Sequence, residues 1–303
     1  MRLNASYVFM ATALLLSCGA KQTTENQAQA HVEGGLEHYV YKDSTDRVDM
    51  SIDVTVPVAA DSASTLIRDS LIKAIDNEYC YIWGDSRVMP SYKGKDKSLK
   101  AIIDYYGSTA LKVFNKGAED DYKERMQYVS EDTTITPDER QQMMSDTPRW
   151  EYDTKIVKED ETTEYIAFLH ESFQYLGGAH GGIGGSGTLT FNAKTGKKIE
   201  KFFINGAEKQ MQKFLIAGLT EYFSENSDKK ITKAELMDYL QVENGYIPLP
   251  SYAPSLSKDG LVLTYQQYEI ASYAAGMPSF TIPYKDVMPF LTEEVKALIK
   301  PSK

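Results

Sequence analysis

Apolar and polar residues alternate strictly over residues 48–57, where Val48, Met50, Ile52, Val54 and Val56 are separated by Asp49, Ser51, Asp53 and Thr55. A period of two sends one set into a core and the other to water, so the segment predicts a half-buried strand that Pro57 closes. The period then lengthens. Ile67, Leu71, Ala74 and Ile75 recur at helical spacing behind Asp61 or Ser62, either of which suits an N-cap. Further helices are predicted over residues 99–114 and 119–128. Residues 130–148 are polar and acidic, carry two prolines and show no periodicity, so the boundary between a helical first half and a strand-rich second half is placed there.

The second half opens on strands. Residues 150–157 and 164–176 are rich in strand-forming types around a charged turn and predict a hairpin, continued by 188–192 and the turn Lys194-Thr195-Gly196-Lys197. Met211, Phe214, Leu215, Gly218, Leu219 and Tyr222 mark one face of a helix, and a shorter helix is predicted over 233–240. Strands over 261–270 and 280–284 follow, and Val287, Leu291, Val295 and Leu298 line a last helix. Runs of strands and then of helices imply an α+β fold of antiparallel sheets packed with helices, in two subdomains.

The N-terminus changes the picture. Arg2 is its sole charge, and the apolar stretch over 7–16 is too short for a membrane span, which needs roughly 20 residues, but suits a secretory signal. It ends in Leu15-Leu16-Ser17-Cys18-Gly19, which resembles the lipobox of bacterial lipoproteins. A small residue before the cut fits the peptidase, and the Cys18 thiol takes the diacylglycerol. Residues 1–17 are therefore expected to be a signal peptide, and 18–45 a lipidated cysteine with a flexible tether, whose stretch over 19–35 has almost no large apolar residue. No acidic cluster follows Cys18, which favours the periplasmic face of the outer membrane. Removing Arg2 with the signal takes the formal charge from −10 to −11, and such acidity argues against nucleic acid as a partner. The one other cysteine, Cys80, has no partner for a disulfide and sits among Tyr79, Tyr81, Ile82 and Trp83, the setting of a buried inert thiol.

Candidate chemistry is sparse. The densest signal is seven glycines within residues 177–187, around Gly177-Gly178-Ala179-His180. A phosphate cradle would need Lys and Ser/Thr after the last glycine and then a helix, whereas a strand pattern follows here. The run reads as a wide loop joining two strands, with ligand contact as the functional alternative. His170 and His180 have no metal-ligand spacing, and His31 and His38 fall in the tether. Residues 224–235 have a faint calcium-loop outline, but Ser224 stands at its first position and Lys229 at the turn glycine. A capping box over Thr232 and Glu235 explains that stretch more simply. No metal, cofactor or catalytic residue is expected.

Two segments distant in sequence carry a resemblance. Gly177-Gly178-Ala179-His180, then a strand and Thr195-Gly196-Lys197, then Tyr268-Glu269-Ile270-Ala271-Ser272-Tyr273-Ala274-Ala275-Gly276 and Ile282-Pro283-Tyr284 together resemble the RsiV-type extracytoplasmic domain. Ser272 departs from that pattern, which has proline there. Residues 46–148 resemble, more weakly, the small domain at the front of the peptidoglycan deacetylase PdaC, and 149–303 would be the RsiV-like part. The deacetylase's own catalytic motifs are missing. The resemblance implies a binding or sensing module, and its characterised sensor branch recognises lysozyme.

The expected function is thus a non-enzymatic cell-envelope lipoprotein that binds or senses an envelope macromolecule, a lysozyme-like protein or peptidoglycan. Two alternatives stay open, an envelope hydrolase using His180 with a carboxylate and a structural assembly lipoprotein. The candidate binding surface is Tyr175, Gly177, Gly178, His180, Tyr268, Glu269 and Tyr273, with the membrane held through Cys18.

Overall fold

The computed structural model describes residues 31–81, 86–145, 148–177 and 181–299. Cys18, the signal peptide, Gly178 and His180 lie outside them. Strands β1 (His31–Glu33), β2 (Leu36–Ser44) and β3 (Val48–Pro57) form an antiparallel meander. β1 and β2 were expected within the tether. Their polar side chains hide the pattern, because the one fully buried residue of β2 is Tyr39, with Leu36 and Tyr41 only partly buried against the core. The Tyr41 ring lies against Gly107, where a Cβ would come within 2.4 Å of it.

Helix α1 (Ser62–Cys80) starts at Asp61, whose carboxylate accepts from the Ser64 amide while the Ser64 hydroxyl accepts from the Asp61 amide. Helix α2 (Leu99–Glu131) runs unbroken through the two helices expected over 99–114 and 119–128. Its near-continuous buried stripe runs from Leu99 to Ala118, with Val129 buried again near the end, and i,i+4 pairs such as Lys116–Asp120 and Arg125–Asp121 support the more exposed turns between. Helix α3 (Pro137–Ser145) occupies the segment that showed no periodicity, and its buried face is correspondingly absent from the core.

Strands β4 (Trp150–Glu161), β5 (Tyr165–Tyr175) and β6 (Ile183–Asn192) complete a six-stranded sheet in the order β1 to β6. All neighbours are antiparallel except β3 and β4, which pair in parallel from Val48 opposite Trp150 to Val54 opposite Ile156. A parallel neighbour needs a crossover, and the three helices supply it. The sheet therefore joins the halves expected on either side of residue 148. The glycine run is also resolved differently from the expected loop, since Gly184, Gly185 and Gly187 lie within β6.

Two cores share this sheet. On one face α1 and α2 cover Ile52, Val54, Ile156 and Phe168. The other face of β5, through Tyr165 and Ala167, joins a second core built on α4 (Ala207–Glu225), α5 (Lys233–Tyr239) and a three-stranded sheet of β7 (Ser255–Leu256), β8 (Leu261–Thr264) and β9 (Ser279–Ile282). The Phe280 ring packs where a Cβ on Gly218 would sit, 2.1 Å away, so α4 meets the small sheet closely. The strand expected over 261–270 ends at Thr264, and the last helix is broken into α6 (Tyr284–Val287), a 3-10 turn over Met288–Phe290 and α7 (Glu293–Leu298). Pro289 lacks the amide that a continuous helix would use. No helix of the described residues is long and apolar enough to cross a membrane.

Cys80 is buried at the end of α1, and its thiol donates to Asp76 Oδ1 at 3.4 Å. Burial, and then the Asp76 carboxylate, push its pKa up, which disfavours the reactive thiolate. Native protein is expected to resist maleimide labelling that proceeds freely in denaturant. Rapid labelling without denaturant would contradict that burial.

Candidate functional site

The free edge of β6 meets the segment that follows β8. Gly184 and Ser186 present their amides outward, and the side chains of Gln267 and Gln266 accept from them at 2.7 and 2.8 Å. Gln266 also donates to the Ser186 carbonyl at 2.9 Å. Two side-chain amides thus take the place of a neighbouring strand. The strand expected to continue to Ile270 has by then left the small sheet, after Thr264. The Tyr273 hydroxyl donates to the Gly182 carbonyl at 2.7 Å, and a Cβ on Gly181 would lie 2.9 Å from that hydroxyl. Gly181 itself has φ +78°, open to glycine at little cost.

Of the expected surface residues, Tyr268 and Tyr273 come together, with ring centroids 5.7 Å apart. Tyr268 is half exposed and held at φ +64°. Glu269 serves the fold instead: its two carboxylate oxygens accept from the amides of Ser251 at 2.5 Å and Gln266 at 2.7 Å. Gly177, at φ +73°, faces elsewhere; its carbonyl accepts from Arg125 of α2 at 3.3 Å, and a Cβ there would meet Pro148 and the Trp150 indole. Tyr175 closes β5 opposite Glu151.

Beside this junction, on the face of β5 and β6 that α1 partly covers, lies a cleft of about 510 Å³. Strand alternation puts His170, Ser172 and Gln174 on that face, opposite Gly187, Gly185 and Ile183. Missing side chains at the glycines leave room: the Tyr252 ring takes the space at Gly187, and a Cβ on Gly185 would approach Ser172 Oγ at 3.3 Å. From α1, Glu78 reaches in. Its Oε1 accepts from the Tyr152 hydroxyl at 2.5 Å, and its Oε2 lies 3.5 Å from His170 Nε2. That approach is an electrostatic contact whose alignment falls short of a hydrogen bond. Burial pushes the Glu78 pKa up, but His170, Tyr152 and Ser172 outweigh it and hold the carboxyl below its usual range. His170 Nε2 and Gln174 Oε1 are buried with no hydrogen-bond partner among the described residues.

Sequence reasoning weighed His170 only as a metal ligand and passed over Glu78 and Gln174. Among the described residues no group of three or more His, Cys, Asp and Glu could hold a metal ion. In the faint calcium outline, Glu235 is taken by the Thr232 amide and by Lys229 Nζ at 2.6 Å. The Lys229 contact, with the Thr232 bonds, lowers the Glu235 pKa to about 2.

Residues 200–285 match the family described as a protein of unknown function, DUF3298. The chain carries a DUF3298 domain. The matched stretch holds α4, α5, the small sheet and the 266–276 segment, while the cleft's α1 and β4–β6 lie before it. No curated protein matches the chain. Two crystal structures of DUF3298 family proteins are similar in fold. One, from Bacteroides fragilis, covers 91% of this chain and all of its own at a TM-score of 0.65 and 15% identity. The other, from Pseudomonas aeruginosa, covers 86% of this chain and 95% of its own at 0.51 and 14%. The α+β architecture, including both sheets, is therefore shared with DUF3298 proteins.

Proposed function

We propose that this DUF3298-bearing chain is a non-enzymatic binding or sensing module of the cell envelope, anchored through lipidated Cys18 on the periplasmic face of the outer membrane. The partner proposed is a basic, lysozyme-like protein that docks on the junction of 181–186 with 266–276. The observation that carries the reading is Tyr268. A bulky residue at positive φ is strained, and such strain persists where the surroundings impose it and gathers at functional sites. Here it presents a half-exposed ring beside Tyr273, which is itself tied to Gly182. Rigid aromatic anchors of this kind are what interface hot spots use. The net charge of −10 suits a basic partner, and the resemblance of the 177–180 and 268–276 motifs to RsiV-type domains points the same way.

The test is binding of the purified mature protein to a lysozyme and to soluble peptidoglycan fragments, each at low and high salt. Association with lysozyme should be fast and should slow with added salt, because long-range attraction between this acidic chain and a basic partner is screened within about 10 Å at 0.1 M ionic strength. Tyr273→Ala should weaken it. Salt-independent binding to peptidoglycan alone would transfer the reading to a glycan ligand, and binding to neither would discard it.

A further inference from the structure

Outside the junction, the strongest feature is the cleft between α1 and β5–β6. Its volume, about 510 Å³, falls within the roughly 300–1,000 Å³ of small-ligand sites. Its chemistry narrows what would fill it. Among the described residues no Lys or Arg lines it, so nothing described there answers an anion. Among the described residues the one carboxylate in its lining, Glu78, already accepts from the Tyr152 hydroxyl and lies 3.5 Å from His170 Nε2, so it is engaged within the chain. What remains unanswered is polar. Gln174 Oε1 is an acceptor without a donor, and His170 Nε2 is a donor or an acceptor according to its tautomer. Buried groups left so are costly, by about 1–3 kcal/mol each. A ligand hydroxyl both donates and accepts, and serves either nitrogen state. Beside these polar groups stand the rings of Tyr81 and Tyr252, 40% and 47% exposed at the rim. Apolar ring faces over a polar floor suit a ligand with hydroxyls on its edge and C–H groups on its face.

From this we infer that the cleft binds an uncharged saccharide, with Gln174 and His170 hydrogen-bonding its hydroxyl or amide groups and Tyr252 packing on its face. The β6 glycines are part of the device, because Gly185 keeps the floor open beside Ser172 and Tyr252. The site is separate from the Tyr268 junction and does not depend on a protein partner docking there.

Calorimetric titration of the purified mature protein decides it, with cellotriose and chitotriose as uncharged probes and fully deacetylated, cationic chitotriose as the contrast. At least one uncharged trisaccharide should bind saturably. Gln174→Leu should weaken that binding roughly tenfold, the effect of losing one hydrogen bond of about 1.4 kcal/mol. Gly185→Val, at a position outside the positive-φ set, should fill the floor and abolish it. Tyr268→Gly should leave it unchanged, which separates this site from the junction. The inference fails if neither uncharged sugar binds, if the cationic sugar binds more tightly than both, or if folded Gln174→Leu and Gly185→Val proteins bind like the parent.

Discussion

Gly196→Val is expected to cost about 3 kcal/mol or more of folding stability, whereas Gly206→Ala should cost only about 1 kcal/mol. Both glycines have positive φ, +71° and +76°, so both pay the backbone penalty of a side chain in the left-handed region. They differ in what surrounds them. A Cβ on Gly206 would meet nothing within 4 Å. On Gly196 it would stand 2.3 Å from the carbonyl oxygen and 2.8 Å from the Cα of Ala63, in the first turn of α1. Backbone atoms in a helix cannot swing aside as a side-chain tip can, so the 193–197 turn would have to lift off α1. The valine adds β-branching, which tolerates positive φ least. Urea midpoints of the two variants check this directly. Equal losses would mean that the turn is not seated on α1 as the structure has it.

That contact also shows why part of the architecture was hidden in the sequence. Strands and helices with aliphatic periodicity, such as 48–57 and 62–80, were legible because one residue set alone faces the core. β2 was not, since tyrosines do its packing among charged neighbours. β6 was not, because glycine reads as loop in a sequence, yet here the missing side chains admit Tyr252 and leave the cleft floor open. The resemblance put the 177–187 and 268–276 segments on one candidate surface, but the residues that join the β6 edge to this stretch, Gln266 and Gln267, whose side chains accept from the Ser186 and Gly184 amides, lie outside both motifs. Glu78, His170 and Gln174 come from α1 and β5, 92 residues apart between Glu78 and His170, and only the parallel pairing of β3 with β4 lays that helix over that strand. No local pattern announces a meeting made by a crossover.

Tyr268→Gly is expected to separate stability from recognition. Glycine takes φ +64° without the strain that tyrosine carries there, a relief of about 1 kcal/mol. The lost ring contact with Tyr273, 5.7 Å between centroids, offsets it by a similar amount, roughly 0.5–1.5 kcal/mol. The melting temperature should therefore change little. Tyr268→Ala removes the same ring and keeps the unfavourable backbone, so it should be less stable than Tyr268→Gly by about 1 kcal/mol. If Tyr268 anchors a protein partner at the junction, both variants should lose binding to about the same degree, at least thirtyfold, since a hot-spot residue contributes about 2 kcal/mol or more. Association and melting measured on the two variants and the parent distinguish the outcomes. A stable Tyr268→Gly protein that binds as the parent does would show that the strain serves only the turn, with the ring incidental to recognition.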